Sequence, residues 1–238
     1  MAGPQCCESA PPTDHPPVGV GRVETFHDLK VYITGSPDVK AAVILISDVF
    51  GYEAPNLRKL ADKIAAAGYL VVVPDYLYGD AYIPDSSNIQ EWFKAHPPAK
   101  AVEDSAKVID ALKSRGITTI GAGGFCWGAK VVIELVKGEV IKAGVLLHPS
   151  RVTIDDIKVV KVPIAILGAE IDRISPPELL KQFEAILSEK AEVDSFVNIY
   201  PGVSHGWTVR YDENDETAVK NAEAAHAKML EWFDKYLK

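Results

Sequence analysis

The chain has few cysteines, no excess of basic charge and no long apolar run. It holds three cysteines in 238 residues. Cys6 and Cys7 are adjacent and Cys126 stands alone, so no disulfide framework is expected. An odd count of this kind points to a reducing compartment or to a thiol with a task. Lys and Arg total 25 against 33 Asp and Glu, a net charge of −8. With no basic cluster, neither nucleic acid nor an anionic membrane surface is an expected partner. No apolar segment approaches the roughly 20 residues that span a bilayer. The N-terminus lacks a charged-then-apolar leader, and Gly3 stands one place too late for myristoylation. The expected location is cytoplasmic. At 47% hydrophobic and 24% charged residues, the chain has the composition of a packed globular protein.

Residues 1–20 carry five of the sixteen prolines, Pro4, Pro11, Pro12, Pro16 and Pro17, and few large apolar side chains. They read as a flexible tail, and residues 21–238 as one domain. Within it, strand and helix patterns alternate. The apolar runs within Val39–Asp48 and at Tyr69–Pro74 read as strands buried on both faces. Further strands are expected at Thr119–Gly123, Ala143–Leu147, Val162–Leu167 and Phe196–Tyr200. Helices are expected over Pro55–Ala67, with Asn56 or Glu53 as its cap, and over Ala99–Arg115, Trp127–Val136, Pro176–Ser188 and Glu216–Tyr236. Repeated βα units imply an α/β fold, a mostly parallel doubly wound sheet with helices on both faces. Function then belongs in the turns at the carboxyl ends of the strands.

One such turn reads Gly123-Gly124-Phe125-Cys126-Trp127-Gly128-Ala129. Gly124-x-Cys126-x-Gly128 has the form of a nucleophile elbow with cysteine in place of serine. The small residues two places either side let strand and helix pass closely. The helix N-terminus directs free N–H groups at the nucleophile. The plainer reading is a small buried residue, the common fate of an unpaired cysteine. Of six histidines, His205 follows the last strand and precedes the last helix, the position of a hydrolase base. His148, at another strand end, is its rival or a pocket residue. Asp172 follows the Ile164–Leu167 strand and suits the orienting acid, with Glu170 as the alternative.

The order Cys126, Asp172, His205 resembles the dienelactone hydrolase family of α/β-hydrolases. The resemblance covers about residues 25 to 237 and includes Ser47-Asp48-Val49-Phe50-Gly51, Val73-Pro74-Asp75-Tyr76-Leu77-Tyr78-Gly79, Gly124-Phe125-Cys126-Trp127-Gly128 and Ser204-His205-Gly206-Trp207. The Cys6-Cys7 pair in its proline-rich leader looks like the plant branch. The resemblance implies hydrolysis of a small ester or lactone by a Cys126–His205–Asp172 triad. It implies an oxyanion hole from the backbone N–H groups of Trp127 and Val49, with no metal or organic cofactor. The partner is then a small-molecule substrate, and the chain a monomer or weak homodimer. Where bacterial members carry a glutamate that engages the resting cysteine, this chain has Asp48, a candidate thiol partner or a solvated carboxylate. The family's carboxylate-binding arginines have no counterpart in register, although Arg210 lies near His205. Tyr78, Tyr82, His148, Trp207 and Arg210 are candidate pocket residues. Two other classes compete: an endo-1,3;1,4-β-glucanase, as some plant relatives are labelled, which needs a pair of carboxylates across a cleft, and a non-catalytic ligand-binding protein on the same fold.

Overall fold

The computed structural model describes residues 4–11, 18–84 and 88–238. Eight strands form one sheet: β1 (Arg22–Phe26), β2 (Leu29–Thr34), β3 (Ala41–Ile46), β4 (Leu70–Pro74), β5 (Thr119–Phe125), β6 (Ala143–Leu147), β7 (Ile164–Ile171) and β8 (Ser195–Ser204). Their order across the sheet is β1-β2-β4-β3-β5-β6-β7-β8. From β4 to β8 neighbouring strands run parallel, as expected, while β1 and β2 add an antiparallel edge hairpin. That hairpin carries no continuous apolar run, because β1 is largely exposed.

Seven helices cover the sheet among the described residues: α1 (Pro55–Ala66), α2 (Ile89–Ala95), α3 (Pro98–Ser114), α4 (Trp127–Lys137), α5 (Ile154–Lys158), α6 (Pro177–Ser188) and α7 (Glu216–Leu237). The sheet's period of two sorts the apolar runs into two cores. In β3, Ala41, Val43 and Leu45 join the core containing Leu57, Leu60 and Ile64 of α1 and Met229 and Phe233 of α7. Ala42, Ile44 and Ile46 face the other core, with Val108 and Leu112 of α3, Val131 and Val132 of α4, and Phe183 of α6. This explains why β3 reads as a run without alternation.

Helix α1 begins differently from expectation. Its cap is Ala54, without a side-chain bond, and Pro55 occupies the first turn, where a missing N–H costs nothing. The short helices α2 and α5 were not foreseen. At seven and five residues they show too little periodicity, and their ends are set by Asn88 and by a Thr153–Asp156 capping box.

The expected tail needs correction where it is described. Pro4–Cys7 forms a 3-10 turn, and Gln5 and Cys6 are buried. Gln5 bonds backbone groups of two distant residues, which residue types alone do not announce. Pro12, Pro16, Pro17 and His15 lie outside the described residues.

The sheet's strand order reverses at β3, whose neighbours are β4 on one side and β5 on the other. Crevices open at such points, beyond the carboxyl ends of the strands. The join is tight. A Cβ on Gly128 would sit 2.2 Å from Ile46 O and 2.5 Å from Ser47 O, and one on Gly124 would sit 2.4 Å from Gly128 O. Backbone cannot yield as a side-chain tip can. Gly128→Ala is therefore expected to lower unfolding free energy by about 3 kcal/mol. Gly138→Ala, where the nearest atom is 3.5 Å away, should move it by less than about 0.5 kcal/mol. Urea melts of both variants check this, and equal costs would refute it.

Candidate functional site

Five strand ends supply the site. Asp48 and Val49 follow β3, Cys126 follows β5, His148 follows β6, Asp172 follows β7 and His205 follows β8. Cys126 is the N-cap of α4 and has φ +50°, ψ −109°, a left-handed conformation that costs energy for a residue with a Cβ. The surroundings hold it there. Its N–H donates to Leu147 O at 3.1 Å, and its carbonyl accepts from Ser150 N at 3.0 Å. The turn places the thiol at the start of α4, where N–H groups lack intrahelical acceptors. Trp127 N is one of these. Val49 N, in the turn after β3, donates to no other group among the described residues.

His205 Nδ1 and Asp172 Oδ2 lie 2.7 Å apart, both side chains fully buried. The other Asp172 oxygen accepts from Ile174 N at 2.8 Å and Ser175 N at 3.1 Å, so the carboxylate cannot swing away. Glu170, the alternative acid, points elsewhere and accepts from Gly202 N at 2.7 Å. Burial works against a charge on His205. The negative charges of Cys126 and Asp172 outweigh it and raise the imidazole to about 9.

His148 is not a second base. It is fully buried, and burial, with the charges of His205 and Arg210, pushes it well below its ordinary value. Its ring meets His205 edge-on at 5.0 Å and Trp207 at 5.5 Å, and Nε2 contacts Thr208 Oγ1 at 2.9 Å. His226 of α7 grips the same residue, its Nε2 donating to Thr208 O at 2.8 Å. These two neutral rings anchor the loop that carries His205. Neither Thr208 nor His226 has a sequence signal for this role, because the contact joins elements that fold together only in three dimensions.

Arg210 is buried and donates from Nε to Asp48 Oδ2 at 2.8 Å. Burial disfavours its charge, and Asp48 more than restores it. Asp48 Oδ1 accepts from Phe50 N at 2.9 Å. The candidate thiol partner is thus held by an arginine and a backbone amide.

The aromatic candidates separate. Tyr82 is buried against Phe50 and Trp92, and its N–H donates to Val49 O, at the edge of the site. Trp207 lines a cavity of about 310 Å³ with His205 and Arg210. Tyr78 is a correction. It is 50% exposed, and its hydroxyl donates to Asp104 Oδ2 at 2.5 Å, so it lies on the surface of α3 and not in the pocket. The buried Asp104, neutralised by Lys100 and Lys107, is what draws it there. The Trp127 side chain is also no pocket wall. It is buried and its indole N–H donates to His96 O at 3.0 Å.

No group of three or more His, Cys, Asp or Glu with metal-site geometry occurs among the described residues. No helix among them is long and apolar enough to cross a membrane.

Residues 29–237 match the model of the dienelactone hydrolase family. An endo-1,3;1,4-β-D-glucanase of Zea mays is 48% identical over 174 residues, 71% of this chain and 57% of that protein. The chain thus spans little more than half the length of the maize relative. A carboxymethylenebutenolidase homolog of Homo sapiens is 32% identical over 226 residues, 92% of each chain. The dienelactone hydrolase structure from Anabaena variabilis superposes with a TM-score of 0.67 at 16% identity, covering 94% of this chain and all of that one.

The raised value of His205 has a consequence for stability. A base near 6.5 when unfolded and about 9 when folded stabilises fully below pH 6.5. That stabilisation drains away as pH rises through 9. Urea midpoints should fall between pH 7 and 9.5, and His205→Gln should flatten this fall. An unchanged slope in the variant would refute the charged imidazole.

Proposed function

Because the chain belongs to the dienelactone hydrolase family, we propose that it hydrolyses small esters or lactones with Cys126 as nucleophile, His205 as base and Asp172 as its orienting acid. The single observation that carries this reading is the buried 2.7 Å contact between His205 Nδ1 and Asp172, with a strained Cys126 beside the imidazole. A buried carboxylate on Nδ1 leaves Nε2 for proton transfer.

The reaction runs in two halves. His205 Nε2 takes the Cys126 thiol proton as the sulfur attacks the carbonyl carbon and a C–S bond forms. The carbonyl π electrons move to oxygen, and the oxyanion accepts hydrogen bonds from Trp127 N and Val49 N. The intermediate collapses, the C–O bond breaks, and the leaving alkoxide takes the proton from His205 Nε2. Water then gives a proton to His205 and its oxygen attacks the thioester. The C–S bond breaks, His205 returns its proton to the Cys126 sulfur, and the carboxylic acid departs. For a lactone, alcohol and acid remain on one product. Asp172 stabilises the imidazolium throughout.

The maize relative supports a second reading, cleavage of mixed-linkage glucan. That chemistry needs two carboxylates facing a cleft. Here Asp48 is tied to Arg210, Asp172 to His205 and Glu170 to Gly202 N, which favours the thiol mechanism.

Cys126→Ala should reduce turnover of p-nitrophenyl acetate by at least about 10³-fold with an unchanged circular dichroism spectrum. Asp172→Asn should cost about 10²- to 10⁴-fold, because the wrong tautomer is then favoured. Undiminished hydrolysis by Cys126→Ala would reject the mechanism. Release of reducing ends from mixed-linkage glucan by that same variant would favour the second reading.

A further inference from the structure

The described part of the leader does not run away from the fold. Residues 5–8 lie among the carboxyl ends of the strands and are held at two points. Gln5 Nε2 donates to Ile171 O at 2.8 Å, and Gln5 Oε1 accepts from Arg173 N at 2.7 Å. The Gln5 amide thus brackets Asp172 from outside. At the second point Arg210 Nη1 donates to Cys6 O at 2.9 Å and to Glu8 O at 3.1 Å. Between these anchors the Cys6 side chain is fully buried, in the apolar cluster that contains Val49, Tyr82, Trp127 and Cys126.

The thiol itself is shut away. Cys126 has no exposed surface, and His205 Nε2, the atom that must exchange protons with substrate, is buried as well. Two cavities flank the leader. One, of about 560 Å³, is lined by Ser9, Ala10, Pro11 and Arg210, and the other, of about 310 Å³, by Ser9, His205, Trp207 and Arg210. Neither is lined by Cys126. A thiolate can react only when a carbonyl carbon comes within roughly 3 to 3.5 Å of it. A sulfur with no accessible surface admits no such approach.

The hold is also of a kind that can release. It comprises short polar contacts, the four above and one from Cys7 to Tyr82 among them, and the buried or half-buried side chains of Gln5, Cys6 and Cys7, with no strand pairing. Opening does not strand a buried charge, because Arg210 keeps its Nε bond to Asp48 when its Nη1 loses the two carbonyls. Segments with few buried contacts open locally at much lower cost than the sheet.

We propose that residues 5–11 are an intramolecular plug over the Cys126 site, and that substrate reaches the thiol only while the plug is displaced. The inference rests on Cys126 as the nucleophile. It makes the open fraction a multiplier on every reaction of the thiol.

Alkylation tests it without a substrate. Iodoacetamide labelling of Cys126, resolved from Cys6 and Cys7 by peptide mass mapping, is compared in the full chain, in Gln5→Glu and in a chain lacking residues 2–11. Gln5→Glu keeps the side chain's shape but turns the group facing Ile171 O into an acceptor. Labelling of Cys126 is expected to accelerate at least tenfold in both variants, with a matching rise in kcat/KM for p-nitrophenyl acetate in the shortened chain. Equal labelling rates in folded variants overturn the plug. If the shortened chain does not fold, as judged by circular dichroism, Gln5→Glu decides alone. Faster labelling with no ester turnover would keep the plug and reject the hydrolase reading. Cys126-dependent turnover with equal labelling rates would do the reverse.

Discussion

The close passage of two backbones at the end of β3 is the constraint on which the rest of the site depends. The first turn of α4 lies so near Ile46 and Ser47 that position 128 has no space for a methyl group. That contact brings the start of α4, with Trp127, against the end of β3, whose next turn holds Val49. It also obliges Cys126 to take a positive φ, because the chain must reverse from strand to helix within one residue. Strain of this sort persists only where neighbours over-determine it, and the bonds to Leu147 and Ser150 do so.

Electrostatics around the elbow follow from burial. Four ionisable groups, Asp48, Asp172, His205 and Arg210, are nearly or fully buried together with the Cys126 thiol. Isolated, each charge would be costly in so dry a place. They occur as pairs, Asp172 with His205 and Asp48 with Arg210. One pair is the one we propose for proton transfer. The other gives Arg210 a permanent partner, and its remaining donors are thereby available to hold the leader's carbonyls. His148 and His226 complete the set by staying neutral, since burial without a carboxylate leaves them no reason to charge.

The legibility of the site varies with how local each cause is. The strand-to-helix turn at Cys126 was legible because its small residues, cysteine and helix start lie within five positions of one another. The meeting of Asp172 with His205 follows from their places after β7 and β8, since a doubly wound sheet gathers strand ends. The packing of the leader's residues 4–8 is not legible in its composition. Its proline content describes chain stiffness, whereas its position is decided by Gln5 and by two carbonyls that Arg210 reaches from more than 200 positions away. Tyr78 depends on a remote partner in the same way, because its hydroxyl bonds the buried Asp104 on α3.

By itself, the sequence determined the α/β architecture, the parallel core strands and the identity of the elbow. Those follow from patterns of apolarity and small residues that act over a few positions. Only the tertiary structure decided how the ionisable groups pair, which aromatic rings reach the site and where residues 4–11 go. Pairing among buried charges depends on distances between elements remote in the chain, and residue spacing carries no information about those distances.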